Sequence, residues 1–198
     1  LVEAVALIGS AQVQGRATIG GNICNASPAA DSVPALIASS AIAKIAGPTG
    51  FREVPIKDLI AGPGKTRLSS KEFVVTIKIS RPAGRQADAY LRFIPRTEMD
   101  IAVVGAGALV TLDSDGNCSA ARLALGAVAP TARLVEDAAA VLIGHKLNEG
   151  TLRELMAVAR TNCDPIDDKR GTIKFRTHVA GVLAARAIKI AWQRAEVK

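Results

Sequence analysis

Between Arg16 and Asp31 the chain reads Arg-Ala-Thr-Ile-Gly-Gly-Asn-Ile-Cys-Asn-Ala-Ser-Pro-Ala-Ala-Asp, and here the residue types could do chemistry. No apolar period of 2 or 3.6 runs long enough to make a strand or helix, so a loop is expected. The adjacent glycines Gly20 and Gly21 can take positive φ and let a ligand approach the main chain with no Cβ in the way. Consecutive N–H groups in such a turn form a hollow suited to phosphate oxygens. Thr18, Asn22, Asn25 and Ser27 could add neutral hydrogen bonds to phosphate or ribose. Asp31 stands just before a helix start and has two readings. It is either a carboxylate capping that helix or the acceptor for a ligand hydroxyl. An anion set directly against a diphosphate would be repelled.

These residues must be positioned by what flanks them. Leu1–Ile8 reads as one short helix ended by Gly9-Ser10. Ser32-Val-Pro34 opens a helix, since Pro is tolerated in the first turn, and Ala35–Ala41 is apolar enough to be core. Ala43–Ala46 and Phe51–Val54 flank Gly47-Pro-Thr-Gly50, a hairpin turn. Ile56–Ile60 is one helical turn. Gly62-Pro-Gly-Lys-Thr66 invites a P-loop reading, which fails because Leu59 stands where the motif needs its first glycine. Glu72–Ser80 is a β-branched strand, and Ser80–Gly84 breaks the pattern.

Ala87–Ile94 reads as a strand and Pro95–Asp100 as a polar loop. Ile101–Asp113 and Cys118–Ala127 are β-like runs joined by Ser114-Asp-Gly-Asn117. Arg133–Ile143, Glu149–Cys163 and Thr172–Val197 follow as helices. The last has an apolar stripe of Val179, Val182, Leu183, Ala187 and Ile190, with Arg176, Arg186 and Arg194 largely off it. Three strands followed by three helices make an α+β layer, with the helices on one face of an antiparallel sheet.

Composition excludes several function classes. At 198 residues and 49% hydrophobic content the chain can bury one good core or two small ones. No apolar run reaches the roughly 18 residues of a membrane span, and Leu1–Val13 lacks the basic leader of a signal peptide. Cys24, Cys118 and Cys163 are far apart and odd in number, which argues against a metal or iron–sulfur site and fits a reducing, cytoplasmic compartment. His145 and His178 have no metal-ligand spacing and read as surface or structural. The net charge of +7 invites nucleic acid, but with 3% aromatic content there is no stacking platform. Much of the excess lies on the last helix, as a solvated face or as a surface for an acidic partner or an anionic cofactor.

The string Thr18-Ile-Gly-Gly-Asn-Ile23, continued by Asn25-Ala-Ser-Pro-Ala-Ala-Asp31, closely resembles the second FAD-binding loop of the flavin (medium) subunits of molybdenum hydroxylases. That family includes the carbon monoxide dehydrogenase medium subunit and the xanthine dehydrogenase FAD domain. Gly62–Thr66 resembles the loop before the last strand of the family's FAD domain. Leu125-Gly-Ala-Val-Ala-Pro-Thr131 and His178-Val-Ala-Gly-Val-Leu183 are similar to strings of its small C-terminal domain. The resemblance implies the C-terminal lobe of a vanillyl-alcohol-oxidase-type FAD-binding domain over residues 1–81. A β-β-β-α-α-α domain over 85–198 would follow, a three-stranded antiparallel sheet covered by helices.

It further implies that Thr18, Gly20, Gly21, Asn22, Asn25 and Asp31 hold the FAD and that Val74 packs against its adenine side. Arg92 stands where relatives carry a lysine near the flavin. Ile101 stands where they place a side chain over the isoalloxazine ring. No catalytic acid or base and no metal ligand is expected. Electrons would arrive from [2Fe-2S] clusters in an iron–sulfur small subunit, fed by a molybdopterin large subunit, and leave to an external acceptor. The family's N-terminal lobe, with its first glycine-rich loop, has no counterpart in residues 1–15, so this chain alone is expected to hold FAD weakly. A non-catalytic assembly module and a stand-alone FAD oxidoreductase are the alternatives.

Overall fold

A computed structural model describes residues 1–97 and 99–198. Glu98, inside the expected Pro95–Asp100 loop, lies outside the described residues. The chain opens with two single-turn helices, α1 (Val2–Val5) and α2 (Ala11–Gln14), where the sequence suggested one helix over Leu1–Ile8. Gly9, at φ 59°, separates them. The expected loop is itself partly helical: α3 spans Ile19–Cys24, although its glycines oppose helix formation. Thr18 compensates as N-cap, its hydroxyl accepting from the Gly21 amide at 2.9 Å. Ile23 anchors the turn in the core with no exposed surface.

α4 (Ser32–Ala38) is buried along its whole length. β1 (Ile42–Gly47) and β2 (Gly50–Pro55) form the expected hairpin, and α5 (Ile56–Leu59) the expected turn. β3 (Ile60–Gly62) and β4 (Lys65–Thr66) pair around Gly62–Thr66 as a small hairpin, and β5 (Phe73–Lys78) joins β1 antiparallel. The first sheet therefore has the order β2-β1-β5.

The second half is built on β6 (Gln86–Phe93), β7 (Val104–Leu112) and β8 (Cys118–Gly126), paired antiparallel in sequence order. Arg133–Leu134, expected to begin a helix, instead adds a fourth edge strand, β9, and α6 is confined to Ala138–Leu142. The two residues are drawn into the ladder opposite Ala124 and Leu125 before the helix can start. α7 (Glu149–Thr161) starts at a capping box formed by Asn148 and Thr151, and α8 (Ile173–Glu196) starts at Thr172. Among the described residues no helix is long and apolar enough to cross a membrane.

The buried line of α8 is Ala180, Leu183, Ala184, Ala187, Ile188, Ala191, Trp192 and Ala195, turned from the expected stripe so that Val179, Val182 and Ile190 flank it. Alanine on the contact face lets the helix lie close against β6 and β7.

The three helices of the second half lie on one face of this sheet, as expected, and its other face is also covered. α6, α7 and α8 cover one face, and α4, from the first half of the chain, covers the other against β7 and β8. Two glycines make this approach possible. A Cβ on Gly107 would lie 2.6 Å from the Pro34 carbonyl oxygen, and one on Gly126 would lie 2.7 Å from Pro34 Cγ. At such positions only glycine lets one backbone rest directly on another.

Candidate cofactor site

α4 rests on the glycine face of β7–β8, and this places Asp31, at its N-terminus, against β6. Tyr90 and Arg92 sit two residues apart on β6, so their side chains leave the same face of the strand. Tyr90 lies opposite Gly107 and Arg92 opposite Gly105. Gly105 makes room for the phenol, since a Cβ there would stand 2.6 Å from the Tyr90 oxygen. The Tyr90 hydroxyl donates to Asp31 Oδ1 at 2.7 Å, and Arg92 donates to Oδ2 at 2.9 Å. All three side chains are buried.

Burial pushes the Asp31 carboxyl above its ordinary range, outweighing the Tyr90 hydrogen bond and the Arg92 charge that pull it down. The Tyr90 phenol is raised by its own burial and by the neighbouring carboxylate. Asp31 stands at the N-cap position of α4 but makes no side-chain capping bond there, because each oxygen is turned to a partner on β6. Tyr90, which sequence reading left among the strand residues, completes the cluster. Its signal was the i, i+2 spacing to Arg92.

Thr18, Gly20, Gly21, Asn22 and Asn25 all belong to α3 or its caps. The Gly21 amide is spent on Thr18, and the Asn22 amide on the Thr18 carbonyl. The amides of Ile19 and Gly20, in the first turn, lie outside the helix's own bonding. A Cβ on Gly20 would meet nothing within 4 Å, so the main chain there faces open space. Asn22 Oδ1 accepts from the Ser32 hydroxyl at 2.6 Å, tying α3 to the start of α4 and so to Asp31. A group that needs exposed peptide donors beside a fixed carboxylate fits these residues.

Val74 is half-buried on β5 and packs against the cluster that contains Ile23. Ile101 precedes β7 and is 52% exposed, at the mouth of a separate cavity rather than beside Asp31. Arg176, expected off the buried stripe of α8, is instead buried. It donates to the Val103 carbonyl at 3.0 Å and to Asp168 at 2.6 Å, so its charge and donors are satisfied inside. His145 and His178 are exposed, and no group of His, Cys, Asp or Glu among the described residues could hold a metal.

Two family profiles match in tandem: the FAD binding domain in molybdopterin dehydrogenase over residues 1–82, and the CO dehydrogenase flavoprotein C-terminal domain over 89–191. The chain belongs to this family of molybdopterin-dehydrogenase flavoproteins. It is 34% identical to the carbon monoxide dehydrogenase medium chain of Hydrogenophaga pseudoflava, over 98% of this chain and 67% of that one. It is 32% identical to the xanthine dehydrogenase FAD-binding subunit of Escherichia coli O157:H7, over 95% of this chain and 64% of the relative. Reconstituted CO dehydrogenase from Oligotropha carboxidovorans superposes with a TM-score of 0.92 at 32% identity, covering 97% of this chain and 66% of that one. The sequence thus spans about two thirds of the length of the relatives it matches, and corresponds to their C-terminal lobes. The family assignment and the α+β architecture agree with the sequence-based expectation.

Proposed function

We propose that this chain is the larger part of the FAD-binding subunit of a molybdenum-containing hydroxylase. In this reading it passes electrons from [2Fe-2S] clusters of a small subunit, supplied by a molybdopterin large subunit, through FAD to an external acceptor. The observation that carries this reading is the tandem match of both flavoprotein domains along one chain. FAD when bound would supply the redox chemistry, while the protein supplies position and field. The open main chain at Gly20 would meet the diphosphate, with Thr18, Gly21, Asn22 and Asn25 around it. Asp31, fixed by Tyr90, would face a ribityl or ribose hydroxyl, and Arg92 would lie near the flavin. Val74 would border the adenine side. The domain boundary in this reading falls at Ser80–Gly84, between units 1–81 and 85–198, and the compartment is the cytoplasm. No side chain here need act as an acid or base.

Half a cradle binds weakly, so the 198-residue chain purified alone is expected to carry far less than one FAD. The assembled complex is expected to carry one per copy of the whole subunit. Flavin content of the two preparations, measured by absorbance, is the test. Stoichiometric FAD on the short chain would overturn the shared-cradle reading. A complex devoid of flavin would favour a pure assembly role, and turnover without molybdenum or iron partners would favour a stand-alone flavoenzyme.

A further inference from the structure

The end of α4 remote from Asp31 meets an arginine whose donors the fold uses only in part. Arg122 lies on β8 opposite Leu109 and shares with Ala124 and Gly126 the strand face on which α4 rests. One edge of its guanidinium is committed. Nε donates to the Ala38 carbonyl at 3.1 Å and Nη2 to the Ile37 carbonyl at 3.0 Å, closing the C-terminus of α4. The other edge, formed by Nη1 and the second Nη2 hydrogen, meets no protein acceptor among the described residues. No carboxylate among them pairs with Arg122 either. Glu136, the acid whose field reaches it, is engaged by Lys57 at 3.3 Å. A half-buried guanidinium without an anion gives up hydration and receives little for it.

Arg122 lines a hollow of about 270 Å³ between the end of α4, the start of β1 and the turn from β2 into α5. Ile37, Ile42 and Pro55 supply apolar wall, and Lys57 brings a second cation. Ser40 lines it as well, in the turn that ends α4, where its φ of 54° is one that favours glycine. Its hydroxyl makes no hydrogen bond among the described residues, whereas that of neighbouring Ser39 is spent on the Ala35 and Leu36 carbonyls. An uncommitted guanidinium edge, a free hydroxyl and an ammonium group thus share one small apolar hollow.

We propose that this hollow binds a small carboxylate with a compact apolar body, such as a single-ring acid. The two carboxylate oxygens accept from the free edge of Arg122, whose paired N–H groups match them in spacing, and one of them also accepts from Ser40. The apolar body lies against Ile37, Ile42 and Pro55. Inorganic phosphate would suit the guanidinium but would lose its hydration against that wall. The volume falls below the roughly 300–1,000 Å³ of sites that take larger ligands such as nucleotides. The site is remote from Asp31 and goes beyond the flavin reading without depending on it.

Benzoate is the probe, titrated calorimetrically into the intact complex that contains this chain. Benzamide serves as its uncharged counterpart and inorganic phosphate as an anion without the ring. One benzoate per copy of this chain is expected, at a site that Arg122→Gln weakens about tenfold or more by removing the charge. Gln retains a donor for the α4 carbonyls. Ser40→Gly removes the hydroxyl and also relieves the positive φ. It is expected to weaken benzoate about threefold while thermal stability is unchanged or raised, a split that a purely structural serine would not give. Benzamide and phosphate are expected to bind at least about tenfold more weakly than benzoate. Unchanged benzoate affinity in either variant would overturn the proposal, as would the absence of saturable binding or phosphate bound more tightly than benzoate. Should Arg122→Gln prevent assembly, Ser40→Gly decides alone.

Discussion

Arg52 and Glu72 meet on the surface of the first sheet in a two-pronged contact of 2.6 and 2.9 Å. Asp31 and Arg92 meet in the interior at 2.9 Å, with Tyr90 on the other carboxylate oxygen. The chemistry is the same and the consequence for the acid is opposite. The guanidinium of Arg52, helped by the Ser69 amide, holds the Glu72 carboxyl down to about 2. Burial raises that of Asp31 in spite of its arginine. An interior ion pair sacrifices hydration that a surface pair keeps. The Asp31 pair is thus poorly explained as a stabilising device and well explained as a positioning one, in which two strand residues hold a carboxylate at a fixed point beside exposed main chain.

The comparison is broken most severely by Asp31→Ala. It leaves the Arg92 charge buried without its partner and is expected to cost about 3–5 kcal/mol in denaturant unfolding, with loss of FAD from the complex. Asp31→Asn separates charge from shape. Because the folded pKa of Asp31 is raised, the wild type binds its proton more tightly folded than unfolded. Its stability relative to Asp31→Asn is therefore expected to fall as pH rises from about 3.8 through the folded pKa. Relative stability that rises over that window would refute a burial-dominated carboxylate.

Gly107→Ala acts on the same pair from a distance. Its new Cβ would collide with the Pro34 carbonyl, against backbone that cannot rotate aside. A loss of about 1–3 kcal/mol is expected, together with lower flavin content, because α4 must lift and carry Asp31 away from β6. Full flavin retention in a destabilised Gly107→Ala complex would show that the Asp31 position is set by something other than this contact.

The smallest effect is expected at the surface pair. Glu72→Gln should be near neutral at pH 7 for flavin binding. The folded pKa of Glu72 is depressed, so its contribution is present above its ordinary 4.5 and lost as pH falls toward about 2. Thermal scans across that acid range should show a shallower loss of stability in the variant than in the wild type.

Much of this was open to sequence reasoning. The β1–β2 hairpin, the β6–β7–β8 meander and the long C-terminal helix are written in turn residues and apolar runs, which act locally. The glycine-bearing segment was singled out for the same reason, although its helical form was not: Thr18 and Ile23 stabilise α3 through a cap and a core anchor that periodicity does not register. Arg133–Leu134 failed as a helix start because a neighbouring strand offered the pair a ladder. Arg176 read as a solvated charge because its partners, Val103 and Asp168, come from other segments.

By itself, then, the order of residues determined most of the element types and the family to which the chain belongs, since these rest on local patterns and on strings that survive as strings. Only the tertiary structure decided that α4 crosses to the far face of the second sheet. That crossing brings residue 31 to residues 90 and 92. Contacts between segments sixty residues apart depend on how closely two backbones can approach. At Gly107 and Gly126 that approach is permitted by the absence of a side chain, whose reason is invisible until its neighbour is in place.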